Sequence, residues 1–292
     1  MHDFLVPLIQ QLVNGFSTGS IYVLIALGIT IVFGLTGIVN FAVGEFMAVA
    51  ALLVVSIVSG GHSFVIGAIA AIALMGTIGV GAEPTLFRWT LKTPINGFIV
   101  SLGLILVLQS LEVKFWGTEY RSIPQPVPNT FSVLGIRLAA QNLIVLAIAS
   151  AAMVALVYWL YRTKQGRALR AASEDREVAE LMGINTRRLT MLVFSIGLAF
   201  AGLAGALIAS LNVVYPYMSG PYLLKGFAIA IVGGLGNVFG TFAAGFIVAV
   251  VETMSIQYLP IQWTDGYVFA VMIAILLIRP SGLFGAREVR RA

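Results

Sequence analysis

The chain has 292 residues, of which 59% are apolar and only 10% charged, with 17 Lys and Arg against 12 Asp and Glu for a net charge of +5. Ordinary soluble domains run at roughly 45 to 50% apolar and about 25% charged, so this composition and a mean hydropathy of +0.99 exclude a soluble enzyme. No cysteine is present, which removes disulfides, thiolate metal sites and cysteine nucleophiles.

Apolar stretches recur along the chain at about 11–34, 38–59, 63–81, 94–116, 139–161, 190–212, 222–235, 237–256 and 266–279. A helical span needs about 20 residues, and most of these are long enough. The stretch ending in Gly233, Gly234 and Gly236 is short and reads as a broken span, a form tolerated at membrane depth only where protein or a wet cavity covers it. The expected fold is therefore all-α: a polytopic transmembrane bundle of about eight full spans plus one short, Gly-broken helix. The whole chain, 1–292, reads as one transmembrane domain with a cytoplasmic loop at about 162–189. No positively charged n-region or small-residue cleavage site precedes the first apolar run, so no removable signal peptide is expected.

Charge orients the spans. Arg162, Lys164, Arg167, Arg170, Arg176, Arg187 and Arg188 crowd the loop between the fifth and sixth stretches and place it in the cytoplasm. Working outward, Gly117 to Leu138, the turn at His62 and Asn212 to Pro221 fall outside. Leu35 to Gly37, Ala82 to Thr93 with Arg88 and Lys92, and the carboxy terminus with Arg279, Arg287, Arg290 and Arg291 fall inside. Trp116, Tyr120, Tyr215, Tyr217 and Tyr222 stand at the outer level, either as interfacial anchors or as a grip for a docked external protein.

Within the apolar runs, Glu45 is the residue read as costly to bury, and the membrane interior is read as holding one acidic residue. Glu45 either fixes helix packing or stands beside a substrate path, with Asn40 nearby but not on the same helix face. Ile31 to Leu35 followed by Phe41 to Gly44 is echoed by Ile231 to Leu235 followed by Phe242 to Gly245, which would make the two Gly turns equivalent elements of two half-bundles. Asn40, Glu45, Gly233, Gly234 and Gly236 are thus the candidates for the substrate pathway or bundle interior.

Gly166 to Leu181 reads as one helix, with Arg170 and Glu174, then Arg176 and Glu180, at i,i+4, and with Gly183 placed to stop it. Leu169, Ala172, Ala179 and Met182 share an apolar stripe that rests on lipid or enters a groove on a cytoplasmic partner. No P-loop, paired carboxylates, Ser-His-Asp set or metal-ligand spacing is seen, so no catalytic residue, metal or cofactor of the chain's own is expected. The basic excess is read as cytoplasmic membrane-protein charge, with membrane lipid and not nucleic acid as its partner.

Several of these stretches together resemble one family. They are Asn14-Gly15 and Gly19 to Gly28, Gly37 to Ala42 with Gly44-Glu45, Gly166 to Ala168 with Arg170-Ala171 and Asp175, Ala179 with Leu181 and Gly183-Ile184, Gly233 to Gly236, and Arg279 to Gly285. In order and spacing the chain resembles the permease subunits of branched-chain amino acid ABC importers, specifically the smaller of the two membrane subunits of the high-affinity leucine, isoleucine and valine system. The resemblance implies a second homologous permease subunit, two cytoplasmic ABC ATPase subunits that carry ATP and Mg, an extracytoplasmic solute-binding protein and a bacterial inner-membrane location. It also implies that the cytoplasmic loop couples to the ATPase, through Gly166, Arg167, Leu169, Arg170, Ala172, Asp175, Ala179, Met182 and Gly183. Val43 stands where family members commonly have His. Urea or short amides are the alternative cargo, and a stand-alone channel or secondary carrier is the competing class.

Overall fold

The computed structural model describes residues 2–91, 93–133 and 136–285. Lys92, Arg287, Arg290 and Arg291, which enter the charge reading above, lie outside the described residues. The chain forms eleven α-helices among those residues: α1 His2–Thr36, α2 Val43–Ser59, α3 Phe64–Ala82, α4 Pro94–Trp116, α5 Ala140–Arg162, α6 Lys164–Glu174, α7 Arg176–Leu181, α8 Thr186–Leu211, α9 Ser219–Gly233, α10 Val238–Tyr258 and α11 Thr264–Ile278. A short hairpin pairs β1, Thr130–Val133, antiparallel with β2, Ile136–Ala139. The hairpin was not expected from the sequence.

Nine helices correspond to the nine apolar stretches, but their lengths differ from the expectation. Among the described residues, seven segments are long and apolar enough to cross a membrane, and α2 and α9 are shorter apolar helices. Two short apolar helices therefore stand where one was expected. The cause at α2 is local: Gly37 takes a left-handed φ of 68°, the chain leaves helical geometry from 37 to 42, and Asn40 Oδ1 accepts a hydrogen bond from the Ala42 amide before α2 begins. The last stretch gains length from a 3₁₀ turn at Ile261–Trp263, so Ile261–Ile278 is long and apolar enough to cross.

The core is built on α8, which packs against α1, α2 and α3, while α9 and α10 pack on the other side of α1. Small residues let these helices approach. A Cβ placed on Gly28 would sit 2.8 Å from the Gly197 carbonyl oxygen, and one on Gly197 would sit 2.9 Å from that of Gly28. Backbone contact of this kind is the way membrane helices gain packing energy when lipid is as apolar as the side chains. By contrast α3, α4, α5 and α11 bury little of their apolar windows and form the periphery.

The connections assigned to opposite sides of the membrane segregate to opposite ends of the bundle. At one end Trp116 Nε1 donates to Ser56 Oγ over 2.6 Å, Arg121 pairs with Val214, and Gln11 donates to Gln257. Trp116 is thus a strap between α4 and α2, and the Tyr120 and Tyr215 rings lie 4.8 Å apart over the paired loops. At the other end the α1 terminus, the end of α5, α6, the α9–α10 turn and Phe284 with Gly285 surround a cavity of about 910 Å³.

Candidate functional site

Two regions carry polar chemistry, one buried in the bundle and one at its cytoplasmic-loop end. The buried region starts from the break before α2. Because α2 begins only at Val43, Glu45 lies in its first turn and not mid-helix, where the helix dipole favours a negative charge. Glu45 is 1% exposed and its Oε1 accepts from Gln109 Nε2 of α4 at 2.6 Å and from the Ser219 hydroxyl, the first residue of α9, at 2.5 Å. The two broken helices meet here, since a Cβ on Gly44 would lie 2.7 Å from the Leu223 side chain.

Glu45 is not the lone buried acid of the sequence reading. Glu83, Glu112 and Glu252 are also buried. Glu112, on α4, is 0% exposed and has the Glu45 carboxyl and the Tyr217 amide as its polar neighbours, so a pair of carboxylates exists after all. Tyr217 is the one non-glycine residue with positive φ among those described, at 71°, in the segment that leads into α9.

A second buried network lies between α9, α10 and α11. Lys225 Nζ is 2.7 Å from Glu252 and 2.9 Å from Asp265, and the Tyr22 hydroxyl of α1 donates to the same Glu252 oxygen at 3.1 Å. Lys225 also stands 5.4 Å from the centroid of the Tyr22 ring. Sequence reasoning passed over Lys225, Glu112 and Glu252. The signal was present, since each is a charge inside an apolar stretch, the criterion that singled out Glu45, although Glu112 shares its stretch with Lys114.

Asn40 is buried but shapes the break before α2 instead of joining the carboxylates. Gly233, Gly234 and Gly236 lie at the opposite, cytoplasmic-loop end. The Leu283 and Phe284 amides donate to the Val232 and Gly233 carbonyls, supplying partners that a helix end lacks, and Asn237 Nδ2 donates to the Phe284 carbonyl. A Cβ on Gly234 would be 2.7 Å from the Gly285 nitrogen, and Gly236 faces the backbone of Gly34. These glycines serve that backbone clasp, and the two echoed Gly turns touch each other there.

The cytoplasmic loop departs from a single helix. Asp175 leaves helical geometry and its carboxylate caps α7 by accepting from the Val178 amide at 3.0 Å, just as Thr163 caps α6 at Gly166. Gly183, with φ of 81°, ends α7: its amide reaches the Glu180 carbonyl and the Ile184 amide reaches that of Ala179, the pattern of a Schellman stop. Of the two expected ion pairs, Arg176–Glu180 forms at 3.4 Å, whereas the Arg170 guanidinium stacks 4.5 Å from the Tyr161 ring. A hydrogen bond from the Thr186 hydroxyl, and then Arg176, hold the Glu180 carboxyl below the usual carboxylate range.

The apolar stripe expected to meet a partner is split. Leu169, Ala172 and Ala179 are buried, with α6 packed on α1 and α8 and α7 on α8, so these three cannot enter a groove on another protein. Met182 is 78% exposed, and Leu181, at 87%, and Val178 are exposed with it. The reason is the break at Asp175, which rotates α7 relative to α6. Gly166 packs where a Cβ would lie 2.3 Å from the Leu160 carbonyl oxygen, which seats α6 tightly under α5, and Arg167 faces solvent.

Residues 11–276 match the family model described as branched-chain amino acid transport system, permease component. The chain belongs to that permease family. It is 31% identical to the high-affinity branched-chain amino acid transport system permease protein LivH of Escherichia coli K12, 32% identical to LivH of Salmonella typhimurium LT2 and 29% identical to BraD of Pseudomonas aeruginosa PAO1. In each case the similarity spans 97% of both chains. No solved structure matches. This permease is accordingly a membrane subunit of an importer, a multi-pass protein of the bacterial inner membrane. The Val43 side chain packs toward Gly28 of α1.

Proposed function

We propose that this permease moves branched-chain amino acids across the inner membrane as one of two homologous permease subunits, driven by two cytoplasmic ABC ATPases and supplied by an extracytoplasmic solute-binding protein. ATP and Mg²⁺ belong to the ATPases, and residues 1–292 act as a single permease domain. The observation that carries the reading is similarity over 97% of both chains to permeases whose names specify that cargo.

The cytoplasmic loop supports the coupling half of the proposal. Val178, Leu181 and Met182 form an exposed apolar tip held in place by a cap, a Schellman stop and the Arg176–Glu180 pair, while α6 is welded to α1 and α8. Force applied to that tip by a nucleotide-driven ATPase passes into the helices that form the core, a rigid-element route to alternating access. Reconstitution with candidate ATPase and binding-protein partners tests it. The expected result is ATP-dependent accumulation of leucine, isoleucine or valine; transport without nucleotide refutes it.

A further inference from the structure

Glu45 and Glu112 leave three carboxylate oxygens without a well-formed hydrogen bond: Oε2 of Glu45 and both oxygens of Glu112. Both side chains are fully buried, and the ion pairs among the described residues involve only Arg176 with Glu180 and Lys225 with Glu252 and Asp265. No described cation therefore offsets the carboxylates. Two ionised carboxyls this close and this deeply buried are strongly unfavourable, so the pair either shares a proton or takes a positive ligand.

The position is that of a solute site. Glu45 is the third residue of α2 and Ser219 the first of α9, the two short helices that begin inside the bundle. At 1.5 Å per residue, Gln109 lies about 10 Å below the α4 end at Trp116 and Glu45 about 20 Å below the α2 end at Ser59. Discontinuous helices meeting at such depth are where transporters hold solutes. Gln109 and Ser219 fix one oxygen of Glu45, which leaves the other turned to its neighbours with Glu112.

We propose that Glu45 and Glu112 bind the primary ammonium group of the transported solute, whose N–H donors meet the carboxylate oxygens that Gln109 and Ser219 leave free. The inference rests on the amino acid reading above and deepens it. It assigns Glu112 a specificity role: a solute without an ammonium group, such as urea or a short amide, gains no ionic contact here.

Binding of radiolabelled leucine to the nucleotide-free reconstituted complex, without the solute-binding protein, tests the site. Leucinol, which keeps the ammonium and lacks the carboxylate, is expected to compete. 4-Methylpentanoate, which keeps the side chain and carboxylate, is not. Glu112→Gln and Glu45→Gln are each expected to weaken leucine binding by about tenfold or more while the complex still assembles. Competition by 4-methylpentanoate equal to that by leucinol, or no leucine binding at all, overturns the site without recourse to any variant. Unchanged affinity in Glu112→Gln, the outcome if the two carboxyls merely share a proton, overturns it as well. ATP-driven leucine transport by the unaltered complex is measured in parallel: its absence refutes the amino acid reading itself, and its presence with ammonium-independent binding refutes the site alone.

Discussion

Leu181→Ala is the most informative change in the cytoplasmic loop. Leu181 is 87% exposed at the end of α7 and flanked by Met182 and Val178, so in the isolated chain its three outer carbons contact almost nothing. The substitution should leave folding unaffected. If the tip enters an ATPase groove, each buried carbon contributes about 0.8 kcal/mol, and the loss of three costs about 2.4 kcal/mol of association, or about 50-fold in affinity. Ala172→Trp should behave in the opposite way: Ala172 is 2% exposed within this chain, so the indole overpacks the α6 seat and lowers the yield of folded permease. Titrating purified ATPase against the permease pair in proteoliposomes reads the first effect, and detergent-solubilised yield reads the second. ATPase affinity unchanged in both Leu181→Ala and Leu181→Asp would refute the docking face and leave α7 as a helix lying on lipid.

Lys225→Met should strand the buried Glu252 and lower stability by about 3–5 kcal/mol, with Glu252→Leu in the same chain restoring most of it; thermal unfolding in detergent checks both, and an unshifted single variant contradicts the network. Gly28→Leu should sharply reduce folded yield because its Cβ already meets the Gly197 carbonyl at 2.8 Å, whereas Gly81→Ala, with nothing within 4 Å, should be silent by the same measurement. Single Cys residues at Asn129 and Ser173, both exposed, test the orientation: impermeant thiol reagent on intact cells should label position 129 and spare 173, and the reverse pattern inverts the topology.

The helical bundle was legible because apolar length is a one-dimensional property, and all nine stretches returned as helices. Where helices break was less so. Gly233, Gly234 and Gly236 announce their turn by composition, but the break before α2 depends on one left-handed glycine, Gly37, and on the Asn40 side chain, amid apolar neighbours that suit a helix equally well. The hairpin at 130–139 was hidden behind prolines. The cytoplasmic stripe failed for a related reason: a helical wheel assumes one continuous axis, and the Asp175 cap gives α6 and α7 different ones. The partner of Glu45 was the hardest feature to see. Glu112 lies 67 positions away and shares no pattern with it, and only the packing of α2, α4 and the start of α9 brings the two carboxyls together.

ATP-dependent uptake into proteoliposomes tests the central claim most directly. The permease is reconstituted with a second permease subunit, two ABC ATPases and a solute-binding protein, and radiolabelled leucine uptake is followed with and without ATP. The account predicts accumulation against a gradient that stops when ATP or the ATPases are withheld. Leucine flux that persists without ATPase, or urea carried while leucine is excluded, would contradict it.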